Sequence, residues 1–369
     1  MRSIDSAVLA ALTLVMLPGM ASAQARQQNR PPAITDPALA GVDFQLQGEY
    51  YGWLYGEAAS GPMGLQVVAL GEGKFDAVQY RGGLPGNGWD RSDKSKLSGA
   101  IENGRLILTG DGESIFVGGS GQAVAVDRLS REIGRLTKME RRSPTLGLAP
   151  PSNALMLFDG RSTDQFQAQP APKVTPEGFL MAGVMTKMPV DAFRMHVEFK
   201  TPFMPTARDQ QRGNSGVYIQ RRYEVQVLDS FGLEGAFNEA GSLYRQTPPD
   251  LNMAFPPLSW QTYDIWFTPP QFAADGKTKT ANARITVLHN GVPVHWHREI
   301  TAKTGGGQQE AAQPLPIQLQ DHGNPVMFRN IWLVPDDGDQ YWEGLRSASV
   351  SCGNSSRGQI RIAHRWRCG

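Results

Sequence analysis

Two adjacent stretches carry the side chains best suited to chemistry. In Tyr223-Glu224-Val225-Gln226-Val227-Leu228-Asp229, the two-residue strand period places Tyr223, Val225 and Val227 on one face and Glu224 and Gln226 on the other. In Asn214-Ser215-Gly216-Val217-Tyr218-Ile219-Gln220, the residues Asn214, Gly216, Tyr218 and Gln220 share a face. The spacing predicts a hairpin across Arg221-Arg222, so that the polar faces join into one surface of tyrosine, amides and a carboxylate. A plain solvated face is the ordinary outcome of such alternation. Uncharged amides and a phenol, however, both donate and accept, which suits hydroxyl-bearing ligands better than lysines would.

A third stretch extends the pattern. Ile317–Asn324 puts Gln318, Gln320 and, if the strand continues, His322 on one face. Phe328-Arg329-Asn330-Ile331-Trp332 sets Arg329 in an apolar strand, where a charge needs a partner. Glu224 or Asp229 would serve, or a purely structural carboxylate. Other clusters are weaker. His295-Trp296-His297, with His289 nearby, has a chelating spacing but no carboxylate at a fixed interval, and reads as a solvent-facing pair. Asp336-Asp337-Gly338-Asp339 lacks the EF-hand pattern. Cys352 and Cys368, the only cysteines, either close a loop in an oxidising compartment or stay free, and form no C-x-x-C motif.

The elements that position these residues are strands. Candidates are Val190–Phe199, Ser215–Gln220, Tyr223–Leu228, Thr262–Phe267, Ala283–Leu288, Ile317–Gln320 and Val326–Val334, with Asn290-Gly291 as a type I′ hairpin turn. Almost no helical periodicity intervenes, so a sandwich is expected over 153–336. Upstream, residues 41–142 alternate short apolar runs with glycine-rich turns and form a smaller all-β segment. Residues 24–40 and the proline-containing 143–152 read as linkers, and 337–369 as a tail rich in Arg, Ser and Gly. Residues 1–23 have the form of an export signal: Arg2, an apolar run from Ala7 to Leu17, and Ala21-Ser22-Ala23 for cleavage. A periplasmic or secreted protein follows, with no stable membrane insertion after cleavage. The 36 basic against 35 acidic residues give a net charge of +1, which argues against nucleic acid as a partner.

Six motifs occur in order: Leu157-Phe158-Asp159-Gly160-Arg161-Ser162, the Arg212–Asp229 block, Gly241-Ser242-Leu243-Tyr244, Trp260-Gln261-Thr262-Tyr263-Asp264, Leu288-His289-Asn290-Gly291-Val292 and Gln318–Trp332. Together they resemble the 3-keto-disaccharide hydrolase domain family over about 153–335. The resemblance implies a concanavalin A-like jelly-roll β-sandwich, export from bacterial cells, and cleavage of a 3-keto-disaccharide or other 3-keto-glycoside. The region ahead of it resembles an accessory segment of some members, and the tail after Trp342 departs from the pattern.

The implied reaction is elimination followed by hydration. A C3 ketone acidifies the C2 proton, a base removes it, the enolate expels the C1 substituent, and water adds. On strand-face reasoning Glu224 is the base or a ligand of an activating metal, a divalent ion being compatible with such a site. Gln226, Gln320, Asn214 and Tyr218 orient the sugar, and Arg329, His322 or Arg212 stabilise charge at O3. Asp229 is the second carboxylate. Two alternatives remain open. In the first, Glu224 and Asp229 form a retaining-glycosidase pair, although their Cα atoms would lie roughly 13 Å apart in an extended strand and such carboxyls sit about 5–5.5 Å apart. The second is a non-catalytic lectin-like module, with Trp53, Trp89, Trp260, Trp266 and Trp296 as stacking surfaces.

Overall fold

The structure is a computed structural model that describes residues 31–55, 60–92 and 94–335. The expected signal, the Asp336–Asp339 run and both cysteines lie outside the described residues. Strands are numbered in chain order. β1 (Gly48–Leu54), β2 (Gly61–Gly71), β3 (Lys74–Arg81), β4 (Lys94–Glu102), β5 (Arg105–Thr109), β6 (Glu113–Val117), β7 (Gln122–Asp127) and β8 (Glu132–Met139) close an up-and-down antiparallel barrel, β8 returning to β1. Inward residues such as Tyr50, Leu65, Val67, Phe75, Leu106 and Ile115 fill it as one apolar cluster. Closure requires neighbouring strands of the wall to coil and approach closely at points. At Gly52 and Gly99 an added Cβ would lie 1.9 and 1.8 Å from the carbonyl oxygens of Arg135 and Ile107, so only glycine fits. The short helix α1 (Gly41–Leu46) packs Phe44 and Leu46 against the barrel core. Phe203 of the second body joins them, its ring centroid 5.3 Å from that of Phe44.

The remaining strands build a two-sheet sandwich. β9 (Leu155–Phe158), β11 (Leu180–Met181), β13 (Phe193–Lys200), β16 (Gln261–Thr268), β19 (Ala283–His289), β20 (Val292–Ile300) and β22 (Met327–Pro335) form a seven-stranded sheet. β10 (Phe166–Gln167), β12 (Val184–Thr186), β14 (Ser215–Ile219), β15 (Tyr223–Val227) and β21 (Gln318–Leu319) form a five-stranded sheet in the order β10-β12-β21-β14-β15. β17 (Gln271–Phe272) and β18 (Lys279–Ala281) make a separate ribbon. Val197, Phe199, Ile265, Phe267 and Val287 of the larger sheet meet Val217, Ile219, Tyr223, Val225 and Leu319 of the smaller one in a single core. Each alternate residue of β14 and β15 therefore faces away from that core. Among the described residues no helix is long and apolar enough to cross a membrane.

The barrel and the sandwich are stitched together by polar contacts. Buried Arg141 makes a two-pronged ion pair with Glu49, donates to the Pro85 carbonyl at 2.6 Å and stacks over Phe255. The segment after Ser143 is held against the outer face of the larger sheet. Thr145 Oγ1 donates to Asp264 Oδ2 (2.7 Å), the Gly147 N–H donates to Glu198 Oε1 (2.5 Å), and Trp332 Nε1 donates to the Leu148 carbonyl (3.1 Å).

Candidate active site

The β14–β15 hairpin turns one residue earlier than its sequence suggests. Gln220 and Arg221 take positive φ (48° and 52°), and the Arg222 N–H closes the turn on the Ile219 carbonyl. Gln220 thereby leaves the polar face: its amide donates to Val190 O and accepts from Arg222 Nη1. Arg222 is buried, and its other nitrogens donate to the carbonyls of Gln309 and Gln313, which fastens the 304–313 loop beside the hairpin.

The face that remains is a grid drawn from three strands. Gln318 of β21 lies opposite Tyr218 of β14, which lies opposite Glu224 of β15. In the next row Gly216 pairs with Gln226, and its carbonyl accepts from the Gln320 N–H at 2.8 Å. Gly216 is what lets the two rows converge. A Cβ there would lie 2.3 Å from Glu224 Oε1 and 3.1 Å from Gln320 Oε1, so both side chains fold across its bare Cα. The Gln226 amide satisfies two acceptors when its nitrogen faces Ser215 O (2.9 Å) and Glu224 Oε1 (3.0 Å).

Glu224 is only 3% exposed, and burial pushes its carboxyl from 4.5 up to about 7, a hydrogen bond from Tyr218 partly opposing the rise. Burial, reinforced by Glu224, raises the Tyr218 phenol, so it stays a donor at neutral pH. Gln320 Oε1 is buried with no hydrogen-bond partner among the described residues, an acceptor aimed at the Glu224 carboxyl's surroundings. Loops cover the face. Thr304 Oγ1 accepts from the Glu224 N–H, and exposed Gly306 sits where a Cβ would meet the Tyr218 hydroxyl at 3.4 Å. The arrangement is one carboxyl able to take a proton near neutrality, a phenol beside it, and amides to orient a hydroxylated ligand.

The other expected site residues lie elsewhere. Arg329 belongs to β22 of the seven-stranded sheet and points outward, its Nε 2.7 Å from Glu198 Oε2 and its guanidinium 4.1 Å from the Trp260 ring centroid. The sandwich core separates it from Glu224, so its partner is neither Glu224 nor Asp229. His322 does not continue the Gln318 face, because β21 ends at Leu319 and the chain turns through an exposed loop. Asp229 pairs with Arg212 (Nε to Oδ2, 2.7 Å), both buried beside the barrel, so it is not a second carboxylate for Glu224. Asn214 is a scaffold: its backbone N–H donates to Asn324 Oδ1 and its amide to the Gln210 carbonyl. His295, expected at the surface, is buried, donates from Nε2 to Gly241 O (2.8 Å), and its pKa is lowered to about 4 by burial. Gln210 and Thr304, which sequence reasoning missed, arrive on loops that carry no periodic signal.

Among the described residues no group of three or more His, Cys, Asp or Glu side chains could hold a metal ion. Around Glu224 one carboxyl stands among neutral amides and a phenol, a set with little negative charge to hold a divalent cation.

The profile of the 3-keto-alpha-glucoside-1,2-lyase-like domain matches residues 153–334, the sandwich. A solved candidate glycosyl hydrolase from Parabacteroides distasonis is 34% identical, covering 50% of this chain and 84% of its own, with a TM-score of 0.46. A second candidate glycosyl hydrolase from the same organism is 16% identical, covering 50% and 94%, with a TM-score of 0.37. Comparison with curated proteins returns no match.

Proposed function

The chain belongs to the 3-keto-alpha-glucoside-1,2-lyase-like family, and on that premise we propose that it cleaves 3-keto-glycosides with Glu224 as the general base. The observation that carries this reading is the meeting of Glu224, Tyr218 and Gln320 over Gly216. An α-proton next to a ketone calls for a base whose pKa lies near the working pH, and a buried carboxylate supplies it. Ionised Glu224 takes the C2 proton, and the C–H electrons pass into the C2–C3 enolate. The enolate re-forms the C3 carbonyl as a C1–C2 double bond forms and the C1–O bond breaks, the aglycone oxygen leaving with the proton that Glu224 took. Water then adds at C1 while C2 regains a proton, giving the free 3-keto sugar.

Tyr218 holds the ionised carboxylate in place. When Glu224 gains its proton that hydrogen bond is no longer needed, and the phenol is released to the enolate oxygen. Gln226 and Gln320 orient the ring hydroxyls. A retaining-glycosidase mechanism loses its support, since Asp229 is engaged by Arg212. The Met1–Ala23 pattern supports placing the enzyme outside the cytoplasm.

The test incubates purified protein with 3-keto-trehalose and with trehalose in D2O, with and without EDTA, following products by NMR. The reading expects cleavage of the keto sugar alone, deuterium at C2, and turnover at least about 100-fold slower in Glu224→Gln. Cleavage of plain trehalose would make the protein a conventional glycosidase. Binding without turnover of either would make it a lectin.

A further inference from the structure

A groove of about 390 Å3 runs between the outer wall of the barrel and the 208–239 loops of the sandwich. We propose that it is a second ligand site, for an uncharged, hydroxyl-rich group such as a sugar unit. Its volume lies within the roughly 300–1,000 Å3 of small-molecule sites. The inference goes beyond the catalytic reading and does not depend on Glu224.

The groove is a built site. Arg212, 94% buried by its 6% exposure, is fixed at two of its three nitrogens: Nε donates to Asp229 Oδ2 at 2.7 Å and Nη1 to the Ala69 carbonyl of the barrel at 3.3 Å. Its buried Nη2 has no hydrogen-bond partner among the described residues, although Arg212 lines the groove. A desolvated guanidinium N–H is costly to leave unpaired, and a ligand oxygen would satisfy it. The same groove is lined by apolar side chains, Val68 and Val78 from the barrel and Phe231 from the sandwich. An apolar surface beside a directed donor suits the C–H face and hydroxyl edge of a pyranose.

Charge decides the class. Three cationic residues, Lys96, Arg208 and Arg212, face five carboxylates, Asp76, Asp209, Asp229, Glu234 and Glu239. Most are already engaged. Lys94 and Lys96 both pair with Glu234, Glu239 accepts from the Gly235 and Ala236 N–H groups, and Arg208 donates to backbone carbonyls, including Leu70 O. The acidic excess disfavours an anion, while a neutral polyol uses the Arg212 donor and the Asp76 and Ser98 oxygens together. One loop serves both places, because Gln210, between groove residues Asp209 and Arg212, lies against Gln226.

The experiment measures binding of trehalose, maltotriose and cellotriose to the full chain by saturation-transfer NMR and calorimetry. The variants are wild type, Glu224→Gln, Arg212→Met and Ser98→Trp. Ser98 is exposed on β4, so Ser98→Trp puts bulk into the groove while Arg212 and the candidate active site keep their native side chains. It keeps the test decisive should Arg212→Met fail to fold. The expected result is that at least one sugar binds wild type and Glu224→Gln alike and binds Ser98→Trp at least about tenfold more weakly. Binding lost in Glu224→Gln but kept in Ser98→Trp would put the sugar at the polar face of β14–β15 and overturn the proposal. Equal binding in every variant, or none by any sugar up to its solubility, would overturn it too. Turnover is scored separately, so a failure of the catalytic reading leaves this outcome legible.

Discussion

Glu224→Gln should slow turnover by about 10²–10⁴-fold and stabilise the protein at the same time, and the stabilisation should depend on pH. Burial raises the carboxyl from 4.5 to about 7, so the folded state holds its proton where the unfolded chain has lost it. Stability from this group is therefore fully present below pH 4.5 and is lost as pH rises through 7. At about 1.4 kcal/mol per tenfold change in proton affinity, the ionised folded protein gives up about 3 kcal/mol by pH 8.5. Glutamine carries no such cost. Melting curves at pH 4 and pH 8.5 should show wild type and variant together in acid and the variant higher in alkali, by roughly 6–12 °C at about 2–4 °C per kcal/mol. Over the same range, wild-type kcat/KM on the keto substrate should fall roughly fifty-fold from pH 7 to pH 5, following the ionised fraction. The variant should lie about 10²–10⁴-fold lower with no inflection near 7. A melting difference of the same size at both pH values, or a rate flat from pH 5 to 8 in wild type, would refute the reasoning.

Tyr218→Phe removes the hydrogen bond that favours ionised Glu224, so the rate inflection should move to higher pH and kcat should drop, read from a pH profile. Gly306→Phe should raise KM while leaving the melting temperature in place, because only the Tyr218 hydroxyl stands within 4 Å of an added Cβ there and φ is not left-handed. Glu198→Gln should leave turnover unchanged but destabilise at neutral pH by about 3 kcal/mol, since Arg329 loses its charge partner while His196 keeps Asp264 at 2.7 Å. Against the burial that would raise it, hydrogen bonds from His196, Asn330, Arg329 and the Gly147 N–H hold Glu198 at about 2. That stabilisation is present above pH 4.5 and lost as pH falls toward 2, so denaturant melts of variant and wild type should converge in acid.

The strand period and the turn residues were legible because they are local. Alternation follows from the pleat, so the inward Tyr223, Val225 and Val227 and the opposed Glu224 and Gln226 could be placed from spacing alone, and Asn290-Gly291 forms the type I′ turn its composition demands, at φ 51° and 77°. The sandwich followed from seven such strands. Local rules carry no information about which sheet a strand joins. Arg329 reads like a neighbour of Glu224 in a list of polar strands, yet β22 pairs with β13 and turns it to the opposite outer face. Asp229 lies beyond the last paired residue of β15, where the strand period no longer sets its direction, and the Arg212 fork takes it. Barrel closure, the buried His295 and the groove behind Arg212 likewise depend on segments far apart in the chain. Glu224 itself divides the same way. Its place on a polar face is a matter of backbone geometry, whereas its pKa depends on desolvation by Gly216, Gln320 and the Thr304 loop. Those groups reach it only after long-range pairing brings them together.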